Sequence, residues 1–457
     1  MATTPTLTWI LNGLVVTQDS KRTVTRAHLR LEDGRIAAIT RSKPAKIPKT
    51  AQTLDASNLV ILPGFVQAHV HLCQTLFRNQ ADDLELLDWL AKRIWVMEAA
   101  HTEETLHTSA LLGIHEMLSS GTTCALDMGT VRHTGSIFEA VKKSGIRASV
   151  GKCLMDHPST TPETLREPTR DAIAEAKALF KRWNDSAEGR IRASYAPRFV
   201  ISCTEQLLAE VARLSREQNA IIHTHASENL KEIQLVKQLV HCENVEYLHQ
   251  LGLTSQQLVL AHCIWLKPNE KDILRTTGTH VVHCPSSNLK LASGFAHVPE
   301  LRRLGINVAL GADGAPCNNN LNMFTEMRLA ALMHKPANGP RAMRAHEVLD
   351  MATRDGARAL GWDDQIGSIE VGKQADLIAV DLNAPENSVP ALPKGRDPEL
   401  EAIASSLVYS TQSSHLKWTM VGGRVLYRGG KVLTVPRDSL MREVHRAQLE
   451  IARKVGK

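Results

Sequence analysis

Nowhere in the 457 residues is there an apolar run of the roughly 18 needed to span a bilayer, and no membrane partner is expected. The early stretch WILNGLVV is too short to do so. It is broken by Asn12 and Gly13 and has no basic segment before it, so it does not read as an export signal either. Glycine-rich phosphate loops are missing too, because no strand-like segment runs into G-x-G-x-x-G or a Walker sequence. The eight cysteines form no C-x-x-C pair. Most sit in apolar runs such as AHCI and VVHCP, which reads as buried free thiols in a reducing, cytoplasmic setting. Basic runs are lacking as well: 54 basic residues against 48 acidic leave a formal +6 spread along the chain, so no nucleic-acid partner is expected. Aromatic side chains make up only 4%, which leaves Phe77, Trp89, Trp95 and Phe199 as the main stacking candidates.

What is present is ordinary for a folded enzyme, with 43% apolar and 22% charged residues. The length suits one core of about 250 to 300 residues with a smaller satellite. Residues 1–60 read as short strands (LTWIL, GLVVTQ, AHLRLEDGRIAAIT), with Asp33-Gly34 as a hairpin signal. The same texture returns over 365–435, in GSIEVGKQADLIAVDL and WTMVGGRVLYRGGKVL, so the two segments are expected to form one composite β domain. Residues 436–457 read as a helix with one solvated face.

Between these lies 61–364, where short apolar strands alternate with helical segments such as TEETLHTSALLGIHEMLSSG and EQLLAEVARLSREQN. Eight strands are expected, at 63–71, 122–129, 147–156, 191–199, 220–228, 258–264, 280–287 and 307–313. The fold class is therefore α/β, a (β/α)8 TIM-type barrel with a small β domain built from both chain ends, and the active site belongs at the carboxyl ends of the barrel strands.

One kind of residue collects at those ends. His69 and His71, two apart on the first strand, point to the same side. The fifth strand ends His223-Thr224-His225-Ala226-Ser227-Glu228, the sixth carries His262, and the eighth ends at Asp313. Burying so many ionisable groups without a metal or a reaction would carry a large desolvation cost. His69, His71, His225 and Asp313 make a nitrogen-rich, oxygen-completed set that suits one zinc ion per subunit, with iron or manganese able to use the same ligands. Zinc lowers the pKa of a bound water to about 7. Glu228 is placed to carry a proton from that water to a ring nitrogen of a substrate. His262 can orient the nucleophile and stabilise the oxyanion, and Asp313 can pass a proton to departing ammonia. Lys152 lies mid-strand and is a poor candidate for bridging two metals. His115, His133, His283 and His297 carry no assigned role, although His283 sits where a residue behind the ligands would.

The chain resembles the amidohydrolase superfamily in its zinc aminohydrolase branch. The likeness rests on PGFVQAHVHL, HASENLKE, AHCIWL, HCPSSNLKL, GADGAPCNNNLNMFTEMRLAALM and the late GSIEVGKQADLIAVD. It implies a hydrolase of C–N bonds in a small heterocyclic substrate, and self-association into a homo-oligomer. DGAPCNNN, EMRLA, QADDLELLDW and Glu98 after IWVM are similar to deaminases of methylthioadenosine, S-adenosylhomocysteine and 5'-deoxyadenosine, where the matching glutamate contacts the ribose hydroxyls. His71-Leu72-Cys73-Gln74, VGKCLMD and Pro197-Arg198-Phe199 are similar to guanine deaminases, where the matching glutamine and arginine hold the base. Gln74, Glu98, Arg198, Phe199 and Glu228 are thus the expected substrate contacts. The balance of motifs favours an aminopurine nucleoside, with a guanine or 8-oxoguanine base, or an s-triazine, as alternatives. Retention of both Glu228 and Asp313 favours deamination over dechlorination. Retention of every expected ligand argues against a non-catalytic scaffold.

Overall fold

The computed structural model describes residues 6–389 and 399–456. Residues 1–5 and 390–398 of the two expected β segments, and Lys457 of the expected terminal helix, lie outside the described residues. The chain divides into two compact units: 1–66, 116–124 and 322–434 form the first, and 67–115, 125–321 and 435–457 the second.

The first unit carries a nine-stranded sheet made from both ends of the chain. Leu7–Val16 pairs antiparallel with Val24–Glu32, which pairs in turn with Arg35–Thr40. On its other side Leu7–Val16 lies parallel to Gln52–Asp55 and to Leu59–Pro63. Leu59–Pro63 then joins the late strand Leu377–Asp381, followed by Leu416–Val421, Arg424–Arg428 and Lys431–Val432. Two turns show why the sequence folds this way. Asp33 (φ 47°) and Gly34 (φ 78°), and Gly422 (φ 52°) and Gly423 (φ 74°), are consecutive left-handed pairs, the backbone a two-residue hairpin needs. The sheet buries Ile10, Leu29, Leu31, Ile61, Leu377 and Trp418 in one core. Helices Met323–Met333, Ala345–Met351, Arg354–Ala359 and Leu400–Tyr409 belong to this unit.

The second sheet is parallel, and its strands are β1 (Phe65–His71), β2 (Thr122–Asp127), β3 (Arg147–Leu154), β4 (Ile191–Pro197), β5 (Ile222–Ala226), β6 (Leu258–His262), β7 (His280–His283) and β8 (Val308–Leu310). Each lies beside its predecessor in the chain. Three and four residues beyond β8, Asp313 and Gly314 pair with Val70 and His71 of β1, which closes the sheet on itself into a (β/α)8 barrel. All seven residues of β1, six of β2 and eight of β3 are buried, as strands enclosed on both faces must be. All eight expected strands are present, several shorter than expected at the carboxyl end. The seventh stops at His283 because Pro285, which has no N–H to give the ladder, opens the helix Pro285–Lys290. Helices Glu103–Ser119 and Glu205–Gln218 fall where the 3.6-residue periodicity puts them, and Arg437–Val455 forms the terminal helix. No helix among the described residues is long and apolar enough to cross a membrane.

Candidate active site

Strand ends bring the histidines together. His69 and His71 come from β1, His225 from β5, and Asp313 from the short pairing after β8; one ligand atom of each lies within 4.8 Å of all the others. Asp313 Oδ1 is 3.1 Å from His69 Nε2 and 3.4 Å from His71 Nε2. His71 Nε2 is 3.2 Å from His225 Nε2. The far side of the His225 ring explains this close approach. Its Nδ1 donates to the Arg198 carbonyl at 2.7 Å, which leaves Nε2 as a bare lone pair facing inward. Burial lowers His71 and His225 well below the usual imidazole range, so both rest in the neutral, metal-binding form. Burial alone would raise the Asp313 carboxyl, but the neighbouring His69, His262 and His71 override it and hold the group well below the usual carboxylate range. Three neutral imidazoles and one ionised carboxylate converging on one point fit a divalent cation of the zinc type.

A second ring of residues fixes these ligands. His223, two positions before His225 on β5, sets its Nε2 2.7 Å from His69 Nδ1. Ser287 Oγ donates to Asp313 Oδ2 at 2.6 Å. The backbone N–H groups of Leu72 and Gly129 donate to the Asp127 carboxyl at the end of β2, at 2.8 and 2.9 Å, and this pins the chain just after His71. Sequence reasoning gave none of these three a role. The H-x-H spacing of His223 and His225 was the one signal available, since it repeats that of His69 and His71. His223→Ala is expected to weaken metal binding by about 10- to 100-fold, as loss of a partner behind a ligand usually does, read by titration against a competing chelator.

Glu228 and His262 face the same point. His262 donates Nδ1–H to Asn288 Oδ1 at 2.8 Å, and this turns Nε2 toward Glu228 Oε2 at 3.5 Å and Asp313 Oδ2 at 3.8 Å. Burial opposes the charged imidazolium, yet the carboxylates of Glu228 and Asp313 raise His262 above its ordinary value. Burial is also the largest influence on Glu228. Reinforced by Asp313 and opposed by His262, it raises that carboxyl to about 7.

A narrow cavity of about 20 Å³ lies beside this cluster, far smaller than the roughly 300 to 1,000 Å³ common for small-molecule sites. Gln74, Arg198, Phe199, Glu228 and His262 line it, and Leu86, Trp89 and Leu90 supply apolar wall. Of the expected stacking candidates, Trp89 and Phe199 reach it, whereas Trp95 and Phe77 are buried without lining it. Glu98 stands behind the wall on the helical turn Trp95–Ala99, bound to Arg198 and Gln74. Lys152 is buried on β3 with Nζ 2.7 Å from Glu167 and 3.1 Å from Glu175, an ion pair that leaves it no bridging role. His283 is buried at the end of β7, and His133 lies 3.8 Å from Glu103.

A closed (β/α)8 barrel with three imidazoles and an aspartate at its strand ends defines the class of metal-dependent barrel hydrolases. The chain belongs to the amidohydrolase family, whose model matches residues 60–426. It is 35% identical over 450 residues to a 5'-deoxyadenosine deaminase of Methanosarcina mazei, covering 98% of this chain and 99% of the relative. It is 37% identical over 438 residues to a 5-methylthioadenosine/S-adenosylhomocysteine deaminase of Syntrophobacter fumaroxidans, covering 95% and 96%. Among solved structures, an adenosine deaminase from Xanthomonas campestris with bound zinc superposes with a TM-score of 0.88 at 31% identity, covering 98% of each chain. This protein is accordingly a hydrolase acting on C–N bonds.

Proposed function

We propose that the chain hydrolytically deaminates an aminopurine nucleoside of the 5'-deoxyadenosine, methylthioadenosine or S-adenosylhomocysteine type, releasing ammonia. One observation carries the reading. Three of the four clustered donors, His71, His225 and Asp313, line a single cavity with Glu228 and His262, in a chain 35% and 37% identical, along nearly its whole length, to the two named deaminases. His69, His71, His225 and Asp313 would hold one zinc ion per chain, with iron or manganese suiting the same donors, and the ion would supply Lewis acidity and lower the pKa of water.

The chain's own groups do the rest. Glu228 takes a proton from the attacking water and delivers it to the ring nitrogen next to the amine-bearing carbon, which makes that carbon electrophilic. His262 Nε2 donates to the oxygen newly bonded to that carbon, and Asn288 keeps the ring turned for it. Asp313 takes the second proton of the attacking water and passes it to the amine as the C–N bond breaks, so ammonia leaves, the ring nitrogen keeps the first proton and the carbon keeps the water's oxygen as a carbonyl. Trp89 and Phe199 offer apolar faces to the purine. The eight cysteines form no disulfide, which suits a reducing compartment such as the cytoplasm, and the family likeness favours self-association.

The pH dependence follows from Glu228. Its carboxyl titrates near 7 and accepts a proton only when ionised, so kcat/KM is expected to rise with pH through about 7 and to fall about tenfold per unit below it. A profile flat from pH 5 to 8 would remove Glu228 from the proton path.

Ammonia release by the zinc-loaded protein tests the function, using 5'-deoxyadenosine, methylthioadenosine, S-adenosylhomocysteine, adenosine, guanine and 8-oxoguanine. Turnover of the nucleosides supports the reading. Turnover of guanine or 8-oxoguanine alone replaces it with the second reading, a base deaminase, which the placement of Gln74 and Arg198 on the cavity wall favours. Silence across the panel with metal bound overturns the purine substrate and returns the s-triazines to consideration.

A further inference from the structure

Three side chains from separate elements meet where the cavity wall backs onto the protein interior, two of them on the wall and one behind it. Arg198, just past β4, sends Nη1 to Glu98 Oε2 at 2.6 Å and Nη2 to Glu98 Oε1 at 3.2 Å, the forked pairing that suits guanidinium and carboxylate. Both residues are at least nine-tenths buried. Gln74, on the turn Leu72–Phe77 after β1, adds a third N–H bond to the carboxylate, from Nε2 to Glu98 Oε1 at 2.8 Å. Burial would lower the Arg198 guanidinium, but the Glu98 carboxylate overrides it and raises the group above its ordinary value.

A carboxylate only accepts hydrogen bonds, so this contact fixes the amide of Gln74 with its nitrogen toward Glu98 and its oxygen away. That oxygen is buried without a partner. It lies against Gly314, where an added Cβ would collide with it, and Gly314 directly follows Asp313. An unmatched acceptor therefore sits beside the metal-binding cluster, on a side chain that lines the cavity. Glu98 does not line that cavity, whereas Gln74 and Arg198 do.

We infer that Glu98 is a positioning residue rather than a ribose ligand: it holds the Arg198 guanidinium in place and turns Gln74 so that Oε1 is offered to an N–H or O–H of the substrate. This departs from the family likeness, which would send the glutamate to the ribose hydroxyls, and it rests on the nucleoside reading above. Gln74 and Arg198 then read the heterocycle, and Glu98 acts only through them.

Steady-state kinetics on an adenosine-type nucleoside and its 2',3'-dideoxy analogue test this with the wild type, E98Q, Q74L and E98Q/Q74L, each checked for bound metal. Positioning predicts that E98Q lowers kcat/KM by about tenfold, chiefly through KM, and by the same factor on both substrates; the two substitutions together should cost less than the product of each alone. A penalty confined to the hydroxyl-bearing nucleoside, or one that simply multiplies with that of Q74L, overturns the inference. E98Q leaves a buried guanidinium unpaired, so if it does not fold, E98Q/R198Q is compared with R198Q. Positioning then predicts little further loss, and a loss restricted to the hydroxyl-bearing nucleoside overturns it. If the wild type turns over only free bases, the nucleoside reading fails by itself. The coupling between positions 74 and 98 on that base still decides the role of Glu98, with independent penalties counting against it.

Discussion

Glu228→Gln is expected to lower kcat by about 10²- to 10⁴-fold while leaving one metal ion per chain in place. Glutamine keeps the shape and can still accept from Ser293, whose Oγ lies 3.4 Å from Glu228 Oε1, but it cannot take up a proton and pass it on. The carboxyl stands 3.5 Å from His262 and outside the four-donor set, so the loss should fall on the chemical step rather than on metal binding. The pH profile supplies a second readout, because the limb near 7 should vanish with the carboxyl. Metal analysis beside ammonia-release rates checks both parts. A variant that turns over at the wild-type rate removes Glu228 from the mechanism, and one that arrives without metal would make it a ligand.

His71→Ala should have the other large effect, acting on the metal itself. His71 Nε2 lies 3.2 Å from His225 Nε2 and 3.4 Å from Asp313 Oδ1, so its removal takes one of four converging donors and leaves two imidazoles and one carboxylate around a gap. Affinity should fall by more than the roughly 10- to 100-fold typical of partners behind the ligands. Ammonia release should drop to background and stay below about 1% of wild type in excess zinc. Because a cation that binds only the folded state stabilises it, zinc should raise the melting temperature of the wild type and leave that of H71A nearly unchanged. Full metal occupancy in H71A would place the metal elsewhere. His69, His262 and Cys284, which also lie within 4.8 Å of one another, would then be the residues to examine.

Some of this architecture is local and therefore visible in the chain. Strand and helix periods, hairpin turns such as Asp33-Gly34, and the two-residue spacing that sets His69 beside His71 are decided over a handful of residues. From them follow eight barrel strands, a sheet shared by the two chain ends, and a set of metal-ligand residue types at strand ends. Whatever needs two distant segments to meet is invisible at that range. Arg198 and Glu98 are 100 residues apart and His69 and His223 are 154 apart, so both pairings join segments that only the folded barrel brings together. Which residues have the chemistry to bind a metal and move protons is legible in the chain, since that is a property of side-chain type and strand period. That Lys152 pairs with Glu167 and Glu175, that Asn288 aims His262, and that Glu98 turns inward to Arg198 is set by the folded barrel alone. Inside a barrel, each buried charge or polar atom must take a partner from whichever strand end closure brings within reach, and no local pattern records that choice.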